Sequence, residues 1–335
     1  MSERPRLADA WEGWIAENLL RGASQDEVVL GLVEEGLDES EARERVRSIA
    51  SAPIFRAALP FARESRRLRT FARLDRARWA AQPRPTDVPR QTWPGRDAFF
   101  ERYWAPGVPV IFTDVVTRWP AMERWSLASL EQRFGDAEIR ITSGREAYGR
   151  DYDVDAKKLE TSSTLREYVA RIRREPVSND HYMIARNRNV RDVLSGLLDD
   201  VVLPRDLFRD DVSEGAAFWL GPAGTVTPLH HDTSNIFFCQ VVGRKRYRMI
   251  APLEIGVLDG ARSMYAAVDP EAPDLERFPW WSSVNVRDFV LSPGDALFIP
   301  VGWWHHVRAL DVSMSLAINA FDRPNRWDWY VPSRD

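Results

Sequence analysis

Thr227-Pro228-Leu229-His230-His231-Asp232-Thr233-Ser234-Asn235, running on to Lys245, is the stretch on which the reading of this chain turns. Leu229 to Asp232 alternates as a strand does, which puts His230 and Asp232 on one face and His231 on the other. A distant run, Pro293-Gly294-Asp295 through Trp303-Trp304-His305-His306, supplies two further imidazoles. Two imidazoles and one carboxylate on one side of an ion leave coordination positions open, the arrangement that suits non-haem Fe(II) chemistry with O₂. Periodicity selects His230 over His231 but does not choose between His305 and His306. Of the five histidines, only His181 lies outside the two doublets, a pattern far more specific than a lone His-x-Asp. Zinc competes for such a set on ligand type alone.

Composition sets the frame for that motif. The chain has 335 residues, 44% of them hydrophobic and 29% charged, enough for one large β-domain with a small appendage. A net charge of −4 gives no global attraction to nucleic acid or to acidic membranes. Cys239 is the single cysteine and lies in an apolar run, so neither a disulfide framework nor a thiolate metal site can be built. The charged N-terminus has no signal-peptide core, and no stretch approaches the length of a membrane span. The expected location is the cytoplasm.

Residues 8 to 50 read as three short helices, with Ser24-Gln25-Asp26-Glu27 forming a capping box and Asp38 capping the third. A bundle this small is expected to dock on something. Arg56 to Arg78 reads as an arginine-rich helix with Phe61, Leu68, Phe71, Leu74 and Trp79 as its apolar stripe. A docking face for acidic peptide or for RNA phosphate is one reading, and a solvated helix face is the favoured one. Four prolines between Pro83 and Pro94 predict a linker, so the division is 1–82 helical domain, 83–94 linker and 95–335 main domain. Beyond residue 180, short apolar strands separated by Gly/Pro turns predict a double-sheet β-barrel, mainly β with flanking helices.

The residues then carry a resemblance. Thr227 to Asp232 with Asn235, Gln240, Gly243 and Lys245-Arg246 resembles the first half of the JmjC (cupin-8-like) oxygenases, and Pro293 to His306 with Asn319 resembles the second. The motifs are also similar to those of the asparaginyl hydroxylase that acts on hypoxia-inducible factor. Pro106 to Val110, Trp119-Pro120-Ala121, Trp125-Ser126 and Phe134-Gly135-Asp136 match the family's entry region, so the resemblance covers roughly residues 93 to 322. It implies a double-stranded β-helix (jelly-roll, cupin) core and Fe(II) held by His230, Asp232 and His305. It implies 2-oxoglutarate as co-substrate with O₂, its distal carboxylate on Lys245 with Thr227 and Tyr182. Asn235 and Asn319 would lie near the chelating end. Two departures stand out: the Asp232–Asn235 spacing is a residue shorter, and the chain ends at Asp335 without the helical extension that pairs subunits, so a homodimer stays open.

The expected activity is thus Fe(II)- and 2-oxoglutarate-dependent hydroxylation of a protein or peptide, with succinate and CO₂ as co-products. RNA or a small molecule is the alternative substrate, RNA resting only on the Arg56–Arg78 helix. A non-catalytic metal-binding cupin is the alternative class, and Lys245 and Thr227 speak against it. Trp219, Trp303 and Trp304 are read as core packing sooner than pocket walls.

Overall fold

The structure, a computed structural model, describes residues 7–81, 87–149, 151–204, 206–252, 254, 261 and 263–328. Chain contacts divide it into two units, residues 1–83 and 84–335. Pro83, Pro85 and the side chain of Trp79 fall outside the described residues. No helix among the described residues is long and apolar enough to cross a membrane.

The first unit is helical: α1 (Leu7–Arg21), α2 (Gln25–Glu34), α3 (Glu39–Ser51) and α4 (Pro53–Ala80). The expected caps are present. Ser24 Oγ accepts from the Glu27 N–H while the Glu27 carboxylate takes the Ser24 N–H, and Asp38 accepts from the Ser40 and Glu41 N–H groups. These caps stop the helices where the apolar stripes can meet, and Ile15, Leu32, Ala42, Val46 and Phe55 close into one small core. Only the first turns of α4 join that core. Its expected apolar stripe is not buried: Phe61, Leu68, Phe71 and Leu74 are exposed.

The second unit begins with the short strand β1 (Arg90–Gln91), then α5 (Arg96–Phe99) running into a π-helical turn, β2 (Val110–Phe112), α6 (Ala121–Arg124) and α7 (Leu127–Phe134). A side sheet follows, from β3 (Glu138–Ser143), β4 (Glu160–Thr164) and β5 (His181–Tyr182), with α8 (Arg145–Tyr148) and α9 (Leu165–Arg174) between its strands. The barrel is built from β6 (Ala216–Gly221), β7 (Val226–His230), β8 (Ile236–Val242), β9 (Lys245–Ile250), β10 (Arg287–Leu291), β11 (Ala296–Ile299), β12 (Trp304–Ala309) and β13 (Ser313–Ile318).

Its larger sheet has the order β1-β2-β11-β8-β13-β6 and its smaller sheet β10-β9-β12-β7. From β6 to β13 the chain changes sheet at every connection except β9 to β10, which is the double-stranded β-helix that the resemblance implies. The two faces of the larger sheet do different work. Phe237, Cys239 and Val241 of β8 point outward into an aromatic core shared with α5, α7 and α9. Ile236 and Phe238, one residue out of phase, point between the sheets, and the space there is left for the site.

The linker reading of 83–94 does not hold from Val88 onward. Val88 is buried, β1 pairs in parallel with β2, and the Trp93 ring packs 5.0 Å from Phe112. Prolines at 89 and 94 bracket an edge strand, where a missing N–H costs no ladder bond. β5 is short: it stops at Tyr182 and the chain turns into a 3₁₀ helix at Ala185–Asn187.

Candidate metal and dicarboxylate site

Strand pairing brings the two histidine doublets together. His305 of β12 is the direct partner of His230 of β7, and their ring centroids lie 4.1 Å apart. Asp232, just past the end of β7, places a carboxylate oxygen 3.6 Å from His305 Nε2. One ligand atom from each of His230, Asp232 and His305 falls within 4.8 Å of the others, close enough to share an ion. Both Nδ1 atoms are occupied: His230 Nδ1 bonds the Pro228 carbonyl at 2.8 Å and His305 Nδ1 the Trp303 carbonyl at 3.0 Å. Each ring is thereby fixed in the tautomer that donates from Nδ1 and offers the Nε2 lone pair inward, the form a metal requires. Burial, with His230 alongside, lowers the His305 pKa to about 4, which keeps that lone pair free of a proton.

The doublets resolve as alternation demands. His231 faces the other way, its ring 4.7 Å from Trp304, and burial lowers its pKa. His306 turns to the outer face of the smaller sheet. There it joins Asp269 and Glu271 in a second group of potential ligands, but Glu271 is taken by Arg308 and Arg248. Those bonds hold its carboxyl at about 2, so this group is an ion-pair network that two guanidiniums already satisfy.

A cavity of about 290 Å³ between the sheets contains the triad and, deeper among the strands, Lys245, Tyr182 and Thr227. Lys245 opens β9 with its side chain turned inward, 1% exposed, and its ammonium donates to the Tyr182 hydroxyl at 3.0 Å. No carboxylate meets it among the described residues, and burial alone lowers its pKa to about 7. An ammonium without a counter-ion in this setting is costly unless an anion arrives. Burial pushes the Tyr182 phenol upward, so it stays protonated as a donor. Gly221, at the end of β6, makes room for that ring: a Cβ there would lie 2.5 Å from Tyr182 Cδ2.

Thr227 reaches the cavity by an irregularity. Against His230↔His305 and Thr227↔Val307, three steps on β7 match two on β12, so β7 bulges at Pro228–Leu229. Strict alternation would set Thr227 and His230 on opposite faces; the bulge returns both to the inside. Asn319, past β13, also lines the cavity, with its amide 3.5 Å from Ser234 Oγ. Asn235 does not. Its side chain accepts from the Val301 N–H at 2.9 Å and donates to Asn325 Oδ1 at 3.0 Å, tying together the segments that follow β11 and β13. Among the tryptophans, Trp219 lines the cavity, while Trp303 bonds the Gly107 carbonyl and Trp304 packs outward.

Three cavity residues, Asp153, Tyr265 and Arg186, carry no signal in the sequence, and neither does Arg145, which pairs with Asp153. Asp153 is buried, its carboxyl pushed up by that burial, and its partner Arg145 stands 3.4 Å away. Arg145 is itself fully buried, donating to the Val226 carbonyl at 2.6 Å and to Asn179 Oδ1 at 3.1 Å. Tyr265 stacks on His230 at 5.6 Å, and exposed Arg186 stands at the rim. They come from loops and a single helical turn with no periodicity to read.

Residues 96–325 match the model of the cupin-like domain family. The chain is 29% identical over 245 residues to lysine-specific demethylase 8 of Xenopus tropicalis, covering 69% of this chain and 52% of that protein. It is 29% identical to lysine-specific demethylase JMJ30 of Arabidopsis thaliana, covering 66% and 52%. With HSPB1-associated protein 1 of Rattus norvegicus it shares 27%, covering 64% and 48%. The chain thus spans about half the length of these relatives. It belongs to the cupin-like, JmjC-type family of 2-oxoglutarate oxygenases.

Proposed function

We propose that this chain is an Fe(II)- and 2-oxoglutarate-dependent oxygenase that hydroxylates a side chain of a protein or peptide, with succinate and CO₂ as co-products. The observation that carries the reading is Lys245. A buried ammonium without a carboxylate partner among the described residues shares one cavity with a His-Asp-His triad, and a plain zinc site or a non-catalytic cupin has no use for it. His230, Asp232 and His305 would hold iron, whose contribution when bound is the activation of O₂ for attack on a C–H bond. Lys245, Tyr182 and Thr227 would hold the distal carboxylate of 2-oxoglutarate, orienting its 2-oxo acid end toward the triad.

The substrate reading draws on the relatives' names and on Asp153. Two relatives are named as lysine-specific demethylases, which favours a protein substrate over RNA or a small molecule. Asp153 offers a buried carboxylate, with only a 3.4 Å contact to Arg145, to a basic side chain entering past Arg186. Hydroxylation at carbon and demethylation differ only in which C–H bond is brought to the iron.

The test is direct. Protein loaded anaerobically with Fe(II) and 2-oxoglutarate should show the visible metal-to-ligand charge-transfer band, and with O₂ and ascorbate it should release succinate. His230→Ala should lose both. An anaerobic protein without the band, together with a variant indistinguishable from the native chain, would refute the oxygenase reading. Basic peptides then separate the substrate classes by a mass gain of one oxygen or a loss of a methyl group.

A further inference from the structure

We propose that the exposed face of α4 is a docking surface for an acidic amphipathic helix of a partner protein. The helix has 28 residues, about 42 Å at the usual rise. Phe55 turns into the bundle core, but Ile54, Phe61 and Leu68 recur at a seven-residue spacing on the opposite side. They are 83%, 74% and 61% exposed, and Phe71 follows at 56%. Side chains of this size are rarely left in water as a continuous row. A seven-residue apolar row is the seam one helix presents to another.

Charge then narrows the partner. The helix carries eight arginines and, as acids, only Glu64 and Asp75. Arg66 is engaged by the Leu20 carbonyl and Arg78 by Asp75, but Arg63, Arg67, Arg69 and Arg73 have no carboxylate partner among the described residues. Arg67 and Arg69 lie on the two sides of the Leu68 position, flanking the row as charged residues flank a helix–helix seam. A second copy of this helix would bring arginine against arginine, so self-pairing is opposed. An anionic bilayer would match the arginines, but Glu64 and Asp75 sit on the apolar side and would be forced toward hydrocarbon. Nucleic acid would match the charge and leave the row in water. An acidic helix with its own apolar stripe covers the row and meets the flanking arginines with its carboxylates, without burying Glu64 and Asp75 in hydrocarbon.

The full chain is titrated with a fluorescein-labelled 28-residue peptide of heptads carrying Leu at the seam and Glu beside it, followed by anisotropy. Saturable binding is expected, weakening with salt. Phe61→Asp with Leu68→Asp should weaken it about tenfold or more, as should Arg67→Glu with Arg69→Glu. Circular dichroism checks that the variants keep their helices, and Leu68→Gln gives a milder variant with a smaller loss in the same direction. Succinate release from 2-oxoglutarate should be unchanged in all of them. The proposal is overturned by no binding, or by equal binding to the Phe61/Leu68 variant, which would mean attraction by charge alone. It is overturned too by tighter binding to phosphatidylserine vesicles or to single-stranded RNA, or by light scattering that shows a dimer dissolved by Phe61→Asp.

Discussion

His230 and His305 face one another directly across the β7–β12 pair, so the spacing of the two imidazoles is set by strand register and not by a loop. Sites carried on strands hold their geometry better than sites carried on loops. His305→Ala should therefore leave the fold intact, remove Fe(II) from the purified protein and abolish succinate release. His231→Ala, whose ring faces Trp304 outside the triad, should retain metal and turnover. Metal content by mass spectrometry reads both. Equal loss of iron in the two variants would mean that the site is not confined to the inner face.

Lys245 predicts a pH dependence. Burial holds its pKa at about 7, so in the free protein the ammonium loses its proton as pH rises through that value. The incoming carboxylate needs the charged form, so binding above pH 7 must take up a proton. Affinity for 2-oxoglutarate should fall by up to about tenfold per pH unit above 7. Calorimetry in two buffers of different ionisation enthalpy measures the uptake. An affinity flat from pH 7 to 9 would show that the free protein keeps the charge.

Gly221 predicts a steric effect at a distance from iron. A methyl group there would meet the Tyr182 ring at 2.5 Å, and the ring carries the hydroxyl to which Lys245 donates. Gly221→Ala should destabilise the fold by about 1–3 kcal/mol, the usual cost of overpacking. It should also raise KM for 2-oxoglutarate while the triad still binds Fe(II). A variant with native KM and a lowered Tm would place the strain elsewhere than at Lys245.

His181 predicts acid sensitivity. It is fully buried beside Glu175, Asp180 and Arg171, and burial lowers its pKa to about 4 from 6.5. The folded state therefore disfavours the protonated ring, while the unfolded chain takes the proton freely. Stability present above pH 6.5 should drain away as pH falls toward 4. His181→Phe should flatten that part of the curve in denaturant titrations of the metal-free protein. His305 and His306 titrate in the same range, so the slope should shrink without vanishing.

Much of this was legible in the sequence, for physical reasons that also mark where legibility stops. The capping box at Ser24 and the alternation from Leu229 to Asp232 are local and read off directly. His305 against His306 needed the partner strand, because only pairing says which face is inside. Asn235 departs from what the resemblance implies, because its side chain bonds Val301 and Asn325, partners far along the chain that leave no local trace. The linker reading fails from Val88 onward because proline excludes a central strand but not an edge one. Asp153 and Arg145 give nothing to read, since a buried ion pair between the start of a one-turn helix and the turn after it has no period.

The bulge at Pro228–Leu229 makes the site a matter of parity. Two of the triad ligands and the Thr227 hydroxyl lie on one short stretch, and which of them look inward depends on whether the count of residues between them is odd or even. Straightening the bulge at unchanged length would set Thr227 and His230 three plain steps apart and turn one of them outward, whereas deleting Pro228 or Leu229 would set two steps against two on β12 and leave both inside. The inward pair Thr227–His230 should therefore survive the loss of one residue between them better than the loss of the bulge itself.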